Sequence, residues 1–287
     1  MTSLLFGKNV LLTGGNTGIG RATAEILGRE KARIFLACRS EEKTRPVLDA
    51  LHAQGVEAFF LPLDLSRLES VRACAQAFLK RNEPLQVLIN NAGVASARGV
   101  TPQGFETTFG TNHLGHFLLT LWLRPALAQA ASARVVVVAS RAHKRLRLDT
   151  LPWASFQKPT QTVTGFFEYS VSKLCNVLFA RELARRWPPH WARSYAVHPG
   201  VIKSDIWRRI PQPFRALATL FMDSNELGAR ASVRCARDPA LGEDNGRYYK
   251  ETGAPSHPSI LAQNDALAQK LWDQSLEWVS PWLPEGI

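Results

Sequence analysis

Tyr169 and Lys173 stand four residues apart in Tyr-Ser-Val-Ser-Lys, within a stretch that reads as helix, so their side chains share one helical face. A phenol near pKa 10 is a poor acid or base at neutral pH, and a neighbouring ammonium lowers that value by stabilising the phenolate. The spacing therefore suits proton transfer. Such a pair also arises by chance, so its weight comes from what surrounds it. Ser140 follows a run with four consecutive valines, and a hydroxyl at that strand end faces the crevice where open α/β sheets bind ligands. A serine that merely caps a turn is the plainer alternative.

A third group of residues carries anion chemistry. Thr13-Gly14-Gly15-Asn16-Thr17-Gly18-Ile19-Gly20 lies between an apolar run and a helical stretch. A strand, a glycine-rich turn and a helix N-terminus direct unpaired N–H groups and the helix dipole at one place, where a diphosphate fits. Gly14 suits a tight turn, Gly18 close approach of a cofactor, and Gly20 close packing of helix on strand. Alone, the motif is equally an ordinary glycine-rich loop.

The elements that must position these groups alternate along the chain. Residues 8–13, 33–38, 57–63, 85–90, 134–139, 194–197 and 247–250 read as strands, with the valine run buried on both faces near the middle of the sheet. Helical stretches fall at 18–29, 41–54, 66–80, 102–129, 165–187, 225–236 and 262–277. The pattern predicts an α/β chain with a doubly wound Rossmann fold, a parallel seven-stranded sheet covered by helices on both faces. With 287 residues, and no repeat or flexible linker, it is expected to form a single domain. The cofactor part is placed at about 1–140 and the catalytic and substrate part at about 141–287. Residues 202–224 break the alternation and are expected to form a lid.

Composition sets limits. A hydrophobic content of 45% supports a sizeable core, and 21% charged residues with 19 Gly and 17 Pro argue against disorder or low complexity. The net charge of +11 favours anionic ligands without choosing among them. Cys38, Cys74, Cys175 and Cys235 have neither CxxC nor zinc-ligand spacing, so no disulfide framework and no metal are expected. No signal peptide or membrane span is evident, which points to a cytoplasmic protein. No nucleic-acid module is recognisable.

The spacing of Gly14, Gly18 and Gly20 resembles the cofactor loop of the short-chain dehydrogenase/reductase family. Four further segments resemble that family in order: Asn90-Asn91-Ala92-Gly93, Asn112 in Thr-Asn-His-Leu-Gly-His, Ser140 with the Tyr169/Lys173 pair, and His198-Pro199-Gly200-Val201-Ile202-Lys203-Ser204. The flanking Leu36-Ala37-Cys38-Arg39 and Ser172-Lys173-Leu174-Cys175-Asn176 resemble its retinol dehydrogenase-like branch. The resemblance implies that Ser140 hydrogen-bonds the substrate oxygen. It implies that Asn112 distorts its helix and holds a water linking Lys173 to solvent. It also implies cofactor contacts from Asn16, Thr17, Ile19, Asn91, Ala92, Gly93, Tyr169, Lys173, Pro199, Gly200, Ile202 and Ser204, and adenine contacts from Asp64 and Leu65. His113 and His116 are read as structural. The helices at 102–129 and 165–187 correspond to the family's usual dimer face, so a homodimer is a candidate assembly.

The end of the second strand selects the cofactor. An acidic residue there accepts hydrogen bonds from the ribose of NAD and repels a 2′-phosphate. This chain has Cys38-Arg39-Ser40, so a guanidinium is available to a phosphate and NADP(H) is expected. Trp153, Phe156, Phe166, Phe167, Trp207, Phe214, Leu217, Leu220, Phe221 and Met222 fall on segments flanking the catalytic strand ends, pointing to a small lipophilic alcohol or carbonyl substrate. The basic run Arg141, His143, Lys144, Arg145, Arg147, with Arg208 and Arg209, reads as a solvated face. Weak peripheral membrane contact, aided by Trp272, Trp278 and Trp282, is the sharper alternative. An idle NADP(H)-binding sensor or scaffold, and an enone or imine reductase, stay open beside the alcohol/carbonyl oxidoreductase.

Overall fold

The computed structural model describes residues 4–200 and 224–284. The apolar runs become strands β1 (Asn9–Thr13), β2 (Arg33–Cys38), β3 (Ala58–Pro62), β4 (Val87–Asn90), β5 (Ala133–Val138), β6 (Ala192–Val197) and β7 (Arg247–Tyr249). They lie in the order β3-β2-β1-β4-β5-β6-β7, all parallel. A two-residue strand β8 (Pro255–Ser256) adds to β7 in antiparallel sense. The expected seven-stranded sheet thus has an eighth strand at its edge, too short and proline-bearing for any alternation to announce it. Strand order reverses between β1 and β4, which opens a crevice at their carboxyl ends.

Side-chain alternation divides the core in two. Leu11, Phe35, Leu88, Val135 and Val137 join one cluster, and Val10, Leu12, Ile34, Leu36, Ile89, Val136 and Val138 the other. The second is covered by α1 (Gly18–Arg29), α2 (Glu41–Ala53) and α8 (Asn225–Arg237). The first is covered by α3 (Leu68–Leu79), α5 (Gly115–Trp122), α7 (Phe166–Arg186) and α9 (Asp265–Val279). The valine run of β5 is buried on both faces, as its composition predicts.

The helix expected over 102–129 is broken. Gly104, at φ +81°, turns the chain before Glu106, whose carboxylate caps α4 (Thr107–Phe109) by accepting the N–H groups of Thr108 and Phe109, both at 2.8 Å. A π-turn follows at Gly110–Leu114, then α5, then α6 (Arg124–Gln129). The Gly115 N–H reaches the Gly110 carbonyl, five residues back. A Cβ at Gly110 would lie 2.5 Å from the Thr101 side chain and one at Gly115 2.5 Å from the Leu65 carbonyl, so glycine lets the widened turn fit its slot.

The C-terminal aromatics pack in or against the core. Trp272 packs on Phe117 and Phe179, and Trp278 meets Phe105, Phe109 and Phe156 edge-on. Trp282 donates to Glu69 and accepts at its carbonyl from the Trp122 indole. Trp272 is buried, while Trp278 and Trp282 are half-buried. Helix α9 also lies along α7, and His113 of the π-turn meets Ser275 at 3.1 Å.

Candidate active site

The turn after β1 is shaped by glycine. Gly14 takes φ +68° and a Cβ there would sit 2.9 Å from the Ala92 Cβ; Gly18 takes φ +55°. A Cβ at Gly20 would stand 2.2 Å from the Gly14 carbonyl, so α1 rests on the loop main chain. The first turn of α1 has no acidic residue. An anionic diphosphate fits this bare, N–H-rich cradle. Asn16, Gly18 and Ile19 are half-buried and Thr17 is exposed.

Thr13 ties that loop to the turn after β4. Its hydroxyl accepts the N–H groups of Asn91 and Ala92, both at 2.9 Å, while the Asn91 amide donates to the Thr13 carbonyl at 2.8 Å. Gly93 approaches the centre closely: a Cβ on it would be 3.3 Å from Asn112 Oδ1 and 3.4 Å from Lys173 Nζ. Arg39 is exposed, with no hydrogen bond or ion pair among the described residues, and Ser40 caps α2 through Lys43 N at 3.2 Å. Asp64 holds Ser66 in a local turn, accepting at 3.0 and 2.7 Å. The Leu65 side chain belongs to the core cluster, leaving its main chain for any cofactor contact.

Asn112 occupies the π-turn, the distortion the resemblance implies. Its Oδ1 accepts from Val94 N at 2.8 Å, and its two amide hydrogens go to the Val94 carbonyl at 2.9 Å and Ser172 Oγ at 3.0 Å. Its main-chain carbonyl meets His116 Nδ1 at 3.0 Å. No amide hydrogen is left for the expected water, which is offered acceptor lone pairs only.

Ser140, Tyr169 and Lys173 come together at the carboxyl end of β5. Ser140 Oγ lies close enough to the Tyr169 phenol to act on it and accepts Ala142 N at 3.2 Å. Burial pushes the Tyr169 phenol above its ordinary value, which corrects the lowering expected from Lys173, and the nearby Ser140 hydroxyl acts in the opposite direction. Lys173 Nζ donates to the Val138 carbonyl at 2.9 Å and lies 5.8 Å from the Tyr169 ring centre. Burial lowers its pKa to about 8. Asn176 donates to the same carbonyl at 3.1 Å.

A family model of short chain dehydrogenases matches residues 8–150. Human retinol dehydrogenase 12 is 39% identical over 276 residues, covering 94% of this chain and 86% of that protein. The chain belongs to the short-chain dehydrogenase/reductase family. Human retinol dehydrogenase 11 is 37% identical over 283 residues, covering 96% of the chain and 87% of that protein. Among solved structures, an uncharacterised protein from Mycobacterium paratuberculosis matches at TM-score 0.73 and 30% identity, covering 96% of this chain and 94% of that one. An NADPH-bound carbonyl reductase from chicken fatty liver shares the fold, at TM-score 0.68 and 22% identity over 88% of this chain and 99% of that one. As a member of the short-chain dehydrogenase/reductase family, the protein is a nicotinamide-dependent oxidoreductase acting on CH–OH and C=O groups.

Other expectations divide. Pro199 and Gly200 are half-buried at the end of β6, with Gly200 at φ +94°. Ile202, Ser204, the lid at 202–224 up to residue 223, and its Trp207, Arg208, Arg209, Phe214, Leu217, Leu220, Phe221 and Met222 lie outside the described residues. Phe156 stacks on Phe109 at 3.9 Å and is buried, which corrects its placement toward substrate. Phe166, half-buried, lies 6.0 Å from the Tyr169 ring, and Phe167 is exposed. Trp153 lines a shallow surface depression of about 390 Å³ with Pro152, Lys158 and Gln161.

Of the basic run, Arg141, Lys144, Arg145 and Arg147 are exposed while His143 is fully buried, a correction to the uniform solvated face. All four cysteines are free and buried. No helix among the described residues is long and apolar enough to cross a membrane, and no group of metal-ligating side chains occurs among them. Sequence reasoning did not single out Thr13, Ser172, Asn176 or the contact of His116 with Asn112. Only the four-residue spacing of Asn112 and His116 could have signalled the last.

Proposed function

We propose that the protein is an NADP(H)-dependent oxidoreductase that interconverts an apolar alcohol and its aldehyde or ketone. The observation that carries this reading is the buried Tyr169 phenol beside the Ser140 hydroxyl at the end of β5, with Lys173 Nζ 5.8 Å from its ring centre. The names of the retinol dehydrogenase relatives support a lipophilic substrate. Preference for NADP(H) rests on Arg39, which is exposed and unpaired among the described residues, and on Cys38 in place of a carboxylate.

The main chain from Gly14 to Gly20, including Asn16, Thr17, Gly18 and Ile19, would hold the diphosphate, and Arg39 the 2′-phosphate. Asp64 and Leu65 would face the adenine. Asn91, Ala92, Gly93, Pro199 and Gly200 would border the nicotinamide half, and Tyr169 and Lys173 its ribose. When bound, the nicotinamide supplies or accepts the hydride. Ser140 Oγ, with Ala142 N–H on one lone pair, donates its hydrogen to the substrate oxygen. Tyr169 O–H delivers a proton to that oxygen in reduction and removes it in oxidation. Lys173 stabilises the phenolate left behind, and Asn112 holds the π-turn against Val94 and Ser172.

Tyr169→Phe tests this reading. With a carbonyl substrate found by screening, kcat should fall by at least about 10²-fold while NADPH affinity, read by cofactor fluorescence, is unchanged. Turnover at the parent rate would remove the mechanism. Reduction confined to C=C or C=N bonds across the panel would refute the alcohol/carbonyl assignment.

A further inference from the structure

We propose that His143 is a positioning residue for this reaction, clamping the Ser140 main chain from beneath and thereby setting where the Ser140 hydroxyl stands relative to Tyr169. The inference rests on the role given to Ser140 above. His143 Nε2 accepts a hydrogen bond from the main-chain N–H of Ser259 at 3.1 Å. A peptide N–H can only donate, so Nε2 carries the lone pair and Nδ1 the hydrogen. Through that hydrogen Nδ1 donates to the Ser140 carbonyl, with nitrogen and oxygen 2.5 Å apart, and the His143 main-chain N–H reaches the same oxygen at 3.3 Å. The ring is fully buried and sits edge-on to Tyr248 of β7 at 5.2 Å.

One imidazole thus joins the residue after β5 to the segment after β8, across 116 positions of sequence. Only the neutral ring satisfies both partners, since imidazolium would present a hydrogen to the Ser259 N–H. Burial, with Lys144 on the same turn, holds the His143 pKa down to about 4 against the raising effect of the Ser140 carbonyl. Among the described residues, His198 at the end of β6 and Tyr248 also lie near, and Arg141 and Glu251 act on both. Ser140 has few other restraints among the described residues: its hydroxyl accepts the Ala142 N–H and lies near the Tyr169 phenol. A swing of its carbonyl would carry the hydroxyl off the substrate oxygen.

A double-mutant cycle with Ser140→Ala decides the matter. His143→Phe keeps the ring volume and loses both bonds. It should lower kcat about tenfold, with NADPH affinity by fluorescence unchanged. In the Ser140→Ala background the same change should have no further effect on kcat. An equal loss in both backgrounds would overturn the proposal, because the ring would then act on the fold at large. Loss of activity in Ser140→Ala supports the parent reading, and a fully active Ser140→Ala defeats that reading rather than the clamp geometry. Should His143→Phe not fold, long-range ¹⁵N NMR of the wild-type imidazole is independent of activity. A protonated Nδ1 and bare Nε2 from pH 8 down to pH 5 are expected, and the opposite tautomer would refute the clamp.

Discussion

At the cofactor end of the crevice, positions are set by main-chain groups and by the absence of side chains; at the substrate end they are set by where bulky rings find room. A Cβ at Gly14, Gly20 or Gly93 would stand only 2.2 to 3.4 Å from its neighbours and could not be accommodated without movement, and Thr13 locks two turns together with one hydroxyl. Phe156, by contrast, has the character of a ligand-pocket residue and is packed into the core, where Phe109 and Trp278 meet it. Local backbone demands constrain which residue can stand at a position, whereas a large apolar ring states only that it will be covered.

The sharpest way to break this contrast is a side chain in the cradle. Gly18→Val places a β-branched residue at φ +55°, beside the N-terminus of α1. NADPH affinity should fall by more than about 10²-fold in fluorescence titration, while circular dichroism still reports a folded chain. Unchanged affinity would show that the loop does not carry the diphosphate.

Lys173 links the two ends, and its burial predicts a trade between stability and function. Its pKa of about 8 lies below the ordinary 10.5, so carrying the charge costs the free protein roughly 3 kcal/mol at pH 7. Between pH 8 and 10.5 the unfolded chain binds the extra proton, so stability rises with pH over that window. Lys173→Met should raise urea-unfolding stability at pH 7 and abolish the rise between pH 7.5 and 9.5, since Asn176 still donates to the Val138 carbonyl. Turnover should fall by about 10²-fold and cofactor affinity should weaken as well. A less stable variant at pH 7 would mean that the ammonium is better compensated than its surroundings indicate.

These contrasts account for what could be read from the chain. Seven parallel strands, their order of appearance and the Tyr169/Lys173 pair follow from periods of 2 and 3.6 and from turn chemistry, all encoded within a few residues. The π-turn at Gly110–Leu114 depends on Leu65 and Thr101 pressing on two glycines, a tertiary fact. His143 was grouped with its basic neighbours because its partner Ser259 is remote in sequence. The tie between Thr13 and His116 likewise spans 103 positions and leaves no local trace.

Arg39 offers a more moderate test, confined to the cofactor end. It carries no ion pair among the described residues, so its replacement should leave stability within about 0.5 kcal/mol. Arg39→Asp removes a charge-assisted partner of the 2′-phosphate and puts a carboxylate in its place. The NADPH-to-NADH ratio of kcat/KM should drop by at least about tenfold. An unchanged ratio would assign Arg39 to the solvated surface.

The smallest effect is expected at the substrate end, from Phe166→Ala. This ring is half-buried, its centre 6.0 Å from the Tyr169 ring centre, with the Arg145 guanidinium over it at 6.0 Å. It belongs to neither core cluster, so its loss should cost the fold little. If it borders the site of an apolar substrate, losing its surface should raise KM roughly three- to tenfold, in line with about 25 cal/mol per Å² of apolar contact, and leave kcat and NADPH affinity alone. The change should grow with the length of the substrate's hydrocarbon part and vanish for a short, polar aldehyde. A KM insensitive to Phe166 across such a series would place the apolar recognition elsewhere, and the contrast between the two ends would then rest on the cofactor cradle alone.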